Sequence, residues 1–190
     1  MVAEWWRMRT AMKAVTVRQP WATLIAVGAK RVETRSWATR HRGVLAVRAA
    51  KAFPGEARRL CWYKPLYSPL SDAGCVRINY RYQAVPEKEV CLPLGAIVAV
   101  VELVACWRLT ESAIYSVPCD VTRWGREYWS VDISRDELAF GDYAPGRYGW
   151  VLAEVRRLEK PIPCRGQQGL WTVPGEIETE TWRQLGRRAL

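Results

Sequence analysis

The chain is poor in the residues that most enzymes use for acid–base and metal chemistry. Its 190 residues include one histidine, His41, set in an arginine-rich turn. A single imidazole weakens the case for His-ligated metals and for Ser–His–Asp or Cys–His nucleophiles. The six cysteines (Cys61, Cys75, Cys91, Cys106, Cys119, Cys164) form no C-x-x-C pair. Cys61, Cys75 and Cys91 share one irregular region, but their spacing matches no zinc pattern. They read as reduced packing residues, and neither a metal nor another cofactor is expected. No phosphate-binding P-loop is present. Long apolar runs are also missing. The longest, residues 94–107 (LGAIVAVVELVACW), is interrupted by Glu102 and falls short of the roughly 18 residues of a membrane span. The first ten residues (MVAEWWRMRT) lack the apolar region of a signal peptide. A cytoplasmic protein with no membrane partner is expected, its oligomeric state open.

Acidic residues are scarce in one place. Residues 1–60 hold 13 of the 29 Lys and Arg but only three of the 19 acids, Glu4, Glu33 and Glu56. That excess equals the whole net charge of +10, so residues 61–190 are neutral overall. Such asymmetry points to a polyanionic partner. A GC-rich genome gives a similar excess, since 23 of the 29 cations are arginine.

Periodicity predicts an α+β domain of about six strands and two or three helices. Residues 1–12 read as an extension, with Met12 a possible start. A strand over 13–17 leads into a helix from Gln19 to Val27, with Pro20 near its start and Gly28 as its stop. Residues 30–37 alternate as a strand, with Lys30, Val32, Thr34 and Ser36 on one face and Arg31, Glu33, Arg35 and Trp37 on the other. Further strands are expected over 44–50, 95–108, 147–157 and 169–173, with Pro161 and Pro163 bracketing a short edge strand. Short helices are expected over 54–63, 134–139 and 176–188. Residues 64–93, with four prolines, read as an inserted loop or hairpin, and 109–135 as a second insertion.

The best chemical cluster lies in the first of these segments. Glu33 and Arg35 stand two residues apart on one strand face, able to pair with each other and with Arg18. Lys30 follows the Gly28 turn, where a ligand can approach closely. It offers a mobile charge for phosphate, or a base if burial lowers its pKa. Glu33 can accept from the amino group of a base. A barrel-closing salt bridge and a solvated turn lysine explain the same residues. Aromatic residues (Trp21, Trp37, Tyr143, Tyr148, Trp150) interleave with Arg18, Arg35, Arg40, Arg42 and Arg147, a combination that suits single-stranded nucleic acid. Trp21 and Trp150 lie on apolar faces and read as core, leaving Trp37 as the stacking candidate. The loop C-R-G-Q-Q-G (164–169), with Arg165, has the form of a phosphate cradle or of a plain turn.

The segment VRQPWATLIAVGAKRVETRSWATRHRG (17–43) resembles the ASCH domain, a branch of the PUA-like superfamily. It carries the signature G-x-K-x-x-E-x-R as Gly28, Lys30, Glu33 and Arg35, after an R-Q-P-W helix start at 18–21. A second block, FGDYAPGRYGWVLAEV (140–155) followed by PIPCRGQQGLW (161–171), resembles the same family. Together they cover most of 13–173, leaving 174–190 as a short C-terminal helix. The resemblance implies a PUA-like mixed β-barrel with helices around a cleft, and RNA or nucleotide-related ligands. An RNA-binding cleft is expected to include Arg18, Lys30, Glu33, Arg35 and Trp37, with a rim of Arg40, Arg42 and Arg147, and Arg165 as a further nucleic-acid contact. Some small relatives are amidohydrolases that deacetylate the exocyclic amine of cytidine with a Lys, a Thr three residues later and a distant Glu. Here Lys30 matches the Lys, Glu33 replaces the Thr, and Thr34 is expected on the opposite strand face. Glu137 is a candidate for the third residue. Another relative is a ribonuclease, which would use Lys30, Glu33 and nearby arginines.

Overall fold

The computed structural model describes residues 11–79, 87–110, 116–119 and 129–186. Ten strands and five helices follow one another along these residues. They run β1 (Lys13–Val17), α1 (Trp21–Ala26), β2 (Val32–Arg35), β3 (Gly43–Ala49), α2 (Gly55–Leu60) and α3 (Tyr67–Asp72). Then come β4 (Val76–Asn79), β5 (Glu87–Val90), β6 (Ala96–Arg108), β7 (Ser116–Cys119) and β8 (Trp129–Asp132). The chain closes with α4 (Arg135–Ala139), β9 (Tyr148–Pro163), β10 (Leu170–Thr172) and α5 (Gly175–Gln184). Six strands form one curled half-barrel sheet in the order β10-β1-β3-β6-β9-β2. Among the described strands only β1 and β3 pair in parallel, as the crossover through α1 and β2 allows.

The apolar composition of β6 explains its central place. Eight consecutive residues from Ala96 to Leu103 are buried, so the strand is covered on both faces. Its partner β9 is longer than the sequence pattern suggests, because Pro161 and Pro163 continue it rather than bracket a separate strand. They are tolerated because the outer neighbour β2 pairs only with Tyr148–Val151, leaving the far end of β9 open on that side. Between Ala153 and Arg156 the ladder slips against β6, and Glu154 takes φ +47°. A bulge of this kind bends a strand sharply and curls β9 around the core.

Trp150 is fully buried among Ile25, Leu45, Val98, Leu103 and their neighbours, at the centre of the main core. The Gln19–Val27 helix is shorter than expected, because Gln19 stands outside it. Gln19 Oε1 accepts from Thr23 N at 3.1 Å, and its Nε2 donates to the Pro93 carbonyl at 2.7 Å. This buried amide ties α1 to the start of β6. Residues 64–93 carry more structure than a loop. They include α3 and the two-stranded β4–β5 sheet, over a cluster built on Leu24, Leu66, Leu70 and Phe140. Within 109–135, β7 and β8 form another small sheet. Expected residues 1–10 of the extension, 80–86 and much of the second insertion lie outside the described residues. The five helices exceed the two or three expected.

Candidate nucleic-acid interface

β2 is an edge strand of the sheet, so one of its backbone edges has no strand partner. A cleft of about 920 Å3 wraps this edge. One wall comes from Thr16 and Arg18 at the end of β1 and from Trp21 on α1. The floor comes from Glu33 to Arg35 and from Gly141 and Asp142 after α4. Trp37 and Arg147 close one side, and Gln167 and Gln168 close the other.

The arginines of the cleft differ in their freedom. Arg35 Nε stands 3.0 Å from Glu33 Oε1, and its guanidinium donates to the Thr16 carbonyl at 2.7 Å. Arg147 Nε stands 3.3 Å from Asp142 Oδ2 and also donates to the Thr34 carbonyl at 3.4 Å. Arg18 is exposed and makes no ion pair with a described residue. Three cations against two carboxylates leave the lining modestly positive. Trp37 is half-buried and meets Trp150 edge-on, with ring centres 4.7 Å apart. Trp150 Nε1 donates to the Trp37 carbonyl at 3.4 Å, so the Trp37 indole is braced from behind. Trp21, expected in the core, is only half-buried and reaches the cleft.

Lys30 lies behind the cleft wall, at 1% exposure. Its ammonium donates to the carbonyls of Val32 and of Phe140, and Glu33 Oε2 stands 3.7 Å away. Burial pulls the Lys30 pKa below its ordinary value, against the opposing pull of Glu33 and Glu137. The alternation that put Lys30 and Glu33 on opposite faces fails because β2 begins only at Val32. Lys30 therefore precedes the regular pleat. Thr34 does turn away from Glu33: its hydroxyl accepts from Asp142 N at 3.1 Å. It still lines the cleft, because the cleft embraces both faces of the edge strand. Gly141 packs between these groups. A Cβ there would lie 3.0 Å from Thr34 Oγ1 and 3.3 Å from Lys30 Nζ.

Glu137 is buried beside this cluster but outside the cleft lining. Its carboxylate accepts from Arg31 N at 2.9 Å, Val32 N at 3.0 Å and Tyr143 Oη at 3.2 Å. Those backbone donors belong to the start of β2, so Glu137 holds that strand in register against α4. The Tyr143 hydroxyl is pushed well above the usual phenol range, first by burial and then by the Glu137 charge and hydrogen bond.

The described residues contain no group of three or more His, Cys, Asp and Glu arranged to hold a metal ion. Cys61, Cys75, Cys91, Cys106 and Cys164 are free thiols. No helix among the described residues is long and apolar enough to cross a membrane.

The ASCH domain family model matches residues 15–162. The chain belongs to the ASCH family. A 48-residue segment is 52% identical to human activating signal cointegrator 1, covering 24% of this chain and 8% of that protein. The crystal structure of the Zymomonas mobilis ASCH protein aligns over 93% of this chain and 94% of its own, at 12% identity and TM-score 0.45. A tyrosine-to-phenylalanine variant of that protein aligns over 90% and 96%, at 13% identity and TM-score 0.46.

In this ASCH domain, Arg18, Glu33, Arg35, Trp37 and Arg147 share the cleft. Arg40 and Arg42 are exposed but stand outside its lining, and Arg42 caps its own turn by donating to the carbonyls of Thr39 and His41. Arg165 borders a separate groove. Sequence reasoning missed Thr16, Asp142, Gln167 and Gln168 as lining residues. Asp142 and the two glutamines stand inside the second motif block, which was the available signal. It also missed the bracing role of Tyr143. The lone His41 is engaged with the Val44 carbonyl at 2.9 Å.

Proposed function

We propose that this ASCH domain binds single-stranded RNA in the cleft along β2. The observation that carries the reading is the joining, in one concave surface, of Arg18, Arg35 and Arg147 with the indoles of Trp21 and Trp37. Cations neutralise phosphates while rings stack on unpaired bases, each stacked base contributing ~1–3 kcal/mol. Trp37 is pre-organised by its contact with Trp150, so little side-chain freedom is lost on stacking. Glu33 orients Arg35 more than it reads a base, since both of its oxygens face cations.

A hydrolase acting on acetylated cytidine or on RNA draws support from the lowered pKa of Lys30. Against it stands the engagement of that ammonium with two backbone carbonyls behind the wall. Glu137 likewise spends its oxygens on β2 and Tyr143. The binding reading is therefore preferred.

The test is titration of a short single-stranded RNA at several salt concentrations, with N-acetylated cytidine and labelled RNA incubated in parallel. Two to three phosphate contacts predict a slope of log K against log salt of about −1.4 to −2.1, at about 0.7 per contact for single strands. A flat response sinks the electrostatic reading, and turnover by the wild type makes the domain an enzyme.

A further inference from the structure

The loop joining β9 to β10 stands as a rib between two depressions. Its residue Gln167 lines the cleft and also a second groove of about 590 Å3. Pro163, Arg165, Pro174, Glu176 and Ile177 are among the other residues that line that groove. Nothing in the proposed cleft site uses it.

The rib is held in place from below. Thr16 Oγ1 donates to the Gln167 carbonyl at 3.3 Å, and Arg48 Nε donates to the Cys164 carbonyl at 2.9 Å. Arg48 is itself buried, at 8% exposure, and pairs with no carboxylate among the described residues. A Cβ on Gly166 would fall 2.7 Å from both Arg48 Nη1 and Thr16 Oγ1. The glycine thus lets the rib lie low over a buried positive charge. Arg165 projects beside it, exposed and free of any ion pair with a described residue.

We infer that the second groove continues the RNA track, so that a strand leaving the cleft crosses the Gly166–Gln167 rib and presents its next phosphate to Arg165. The inference rests on the cleft being the RNA site. It gives a role to Arg165, which lines the second groove and not the cleft. Glu176 on the far side supplies the one carboxylate of the groove, an acceptor for a base amino group or a ribose hydroxyl, and it keeps the groove from being a general anion trap.

The experiment compares a trinucleotide with a heptanucleotide RNA on the full chain and on Arg165→Ala. Wild type should bind the longer RNA about tenfold more tightly. Arg165→Ala should weaken the longer RNA about three- to fivefold and lower its salt slope by about 0.7, one phosphate contact, with the trinucleotide unchanged. Thermal melting of the variant should match wild type, since Arg165 is exposed. Equal wild-type affinity for both lengths, a length gain undiminished in Arg165→Ala, or equal weakening of both RNAs overturns the second groove and leaves the cleft reading standing. Failure of wild type to bind either RNA overturns both.

Discussion

Glu137 and Tyr143 form the kind of buried polar pair whose cost depends on complete satisfaction. A buried carboxylate without partners is expensive, and here two backbone N–H groups and the Tyr143 hydroxyl supply them. Removing the hydroxyl leaves the carboxylate one donor short. Tyr143→Phe should therefore lower stability by about 1 kcal/mol near neutral pH. The gap should change with pH in a defined sense. The folded-state pKa of Tyr143 is raised, so its contribution is complete below the unfolded value of about 10 and is lost as pH rises beyond it. The phenol of the unfolded wild type then ionises, while the folded phenol stays neutral. The variant has no such group, and Lys30 titrates in both proteins and cancels. Urea unfolding of the two proteins from pH 7 to 11 should show curves that converge above about pH 10. A constant gap across that range would mean that Tyr143 is not held as described.

At the scale of elements, α4 shows how a short helix carries a site it does not enter. Five residues are too few for intrinsic stability, so its termini matter. Ser134 caps it, its Oγ accepting from Glu137 N at 3.1 Å. The residue so fixed is the one that grips β2. Ser134→Ala should cost about 1 kcal/mol, read as a lower urea midpoint, and Ser134→Thr should recover most of it. An unchanged midpoint in the alanine variant would show that tertiary contacts alone position α4. This helix was legible in the sequence, as were β6 and the closing strand, because apolar runs and local caps are short-range signals. α3 was not, because Pro65 and Pro69 mark a loop in most contexts. Pro69 falls in the first turn of α3, where its missing N–H costs nothing. The candidate site was legible in part. Glu33, Arg35 and Trp37 reach one cleft because one edge strand and its end carry them. Arg40 and Arg42, expected on the rim of that cleft, are not lining residues, and Arg42 closes its own turn. The engagement of Lys30 with the Phe140 carbonyl spans 110 positions, a distance over which no local pattern reports.

For the whole molecule, the C-terminal segment decides whether the half-barrel can close. The sequence divides the chain at residue 173, as though the last helix were appended. The packing argues otherwise. β10 pairs antiparallel with β1 at one edge of the sheet, and α5 covers that end. Ile177, Trp182 and Leu185 pack on a core cluster that includes Met12, Trp171 and Val173. Polar contacts pin the same helix at two further points: Glu178 Oε2 accepts from Met12 N at 3.2 Å, and Gln184 Oε1 accepts from Lys160 N at 3.1 Å. Three half-buried side chains of this size contribute about 3 kcal/mol in transfer terms. The exposed surfaces of Met12 and Trp171 would add an aggregation hazard. A chain ending at Val173 should therefore lose about 3 kcal/mol or more of stability in urea unfolding. Trp182→Ala should reproduce part of that loss without shortening the chain. The truncation also removes Glu176 and Ile177 from the second groove but leaves the cleft lining intact. Short RNA should accordingly still bind to whatever fraction remains folded, and the length-dependent gain should fall. If the truncated chain unfolds at the wild-type midpoint, α5 is an appendage and the domain ends at β10.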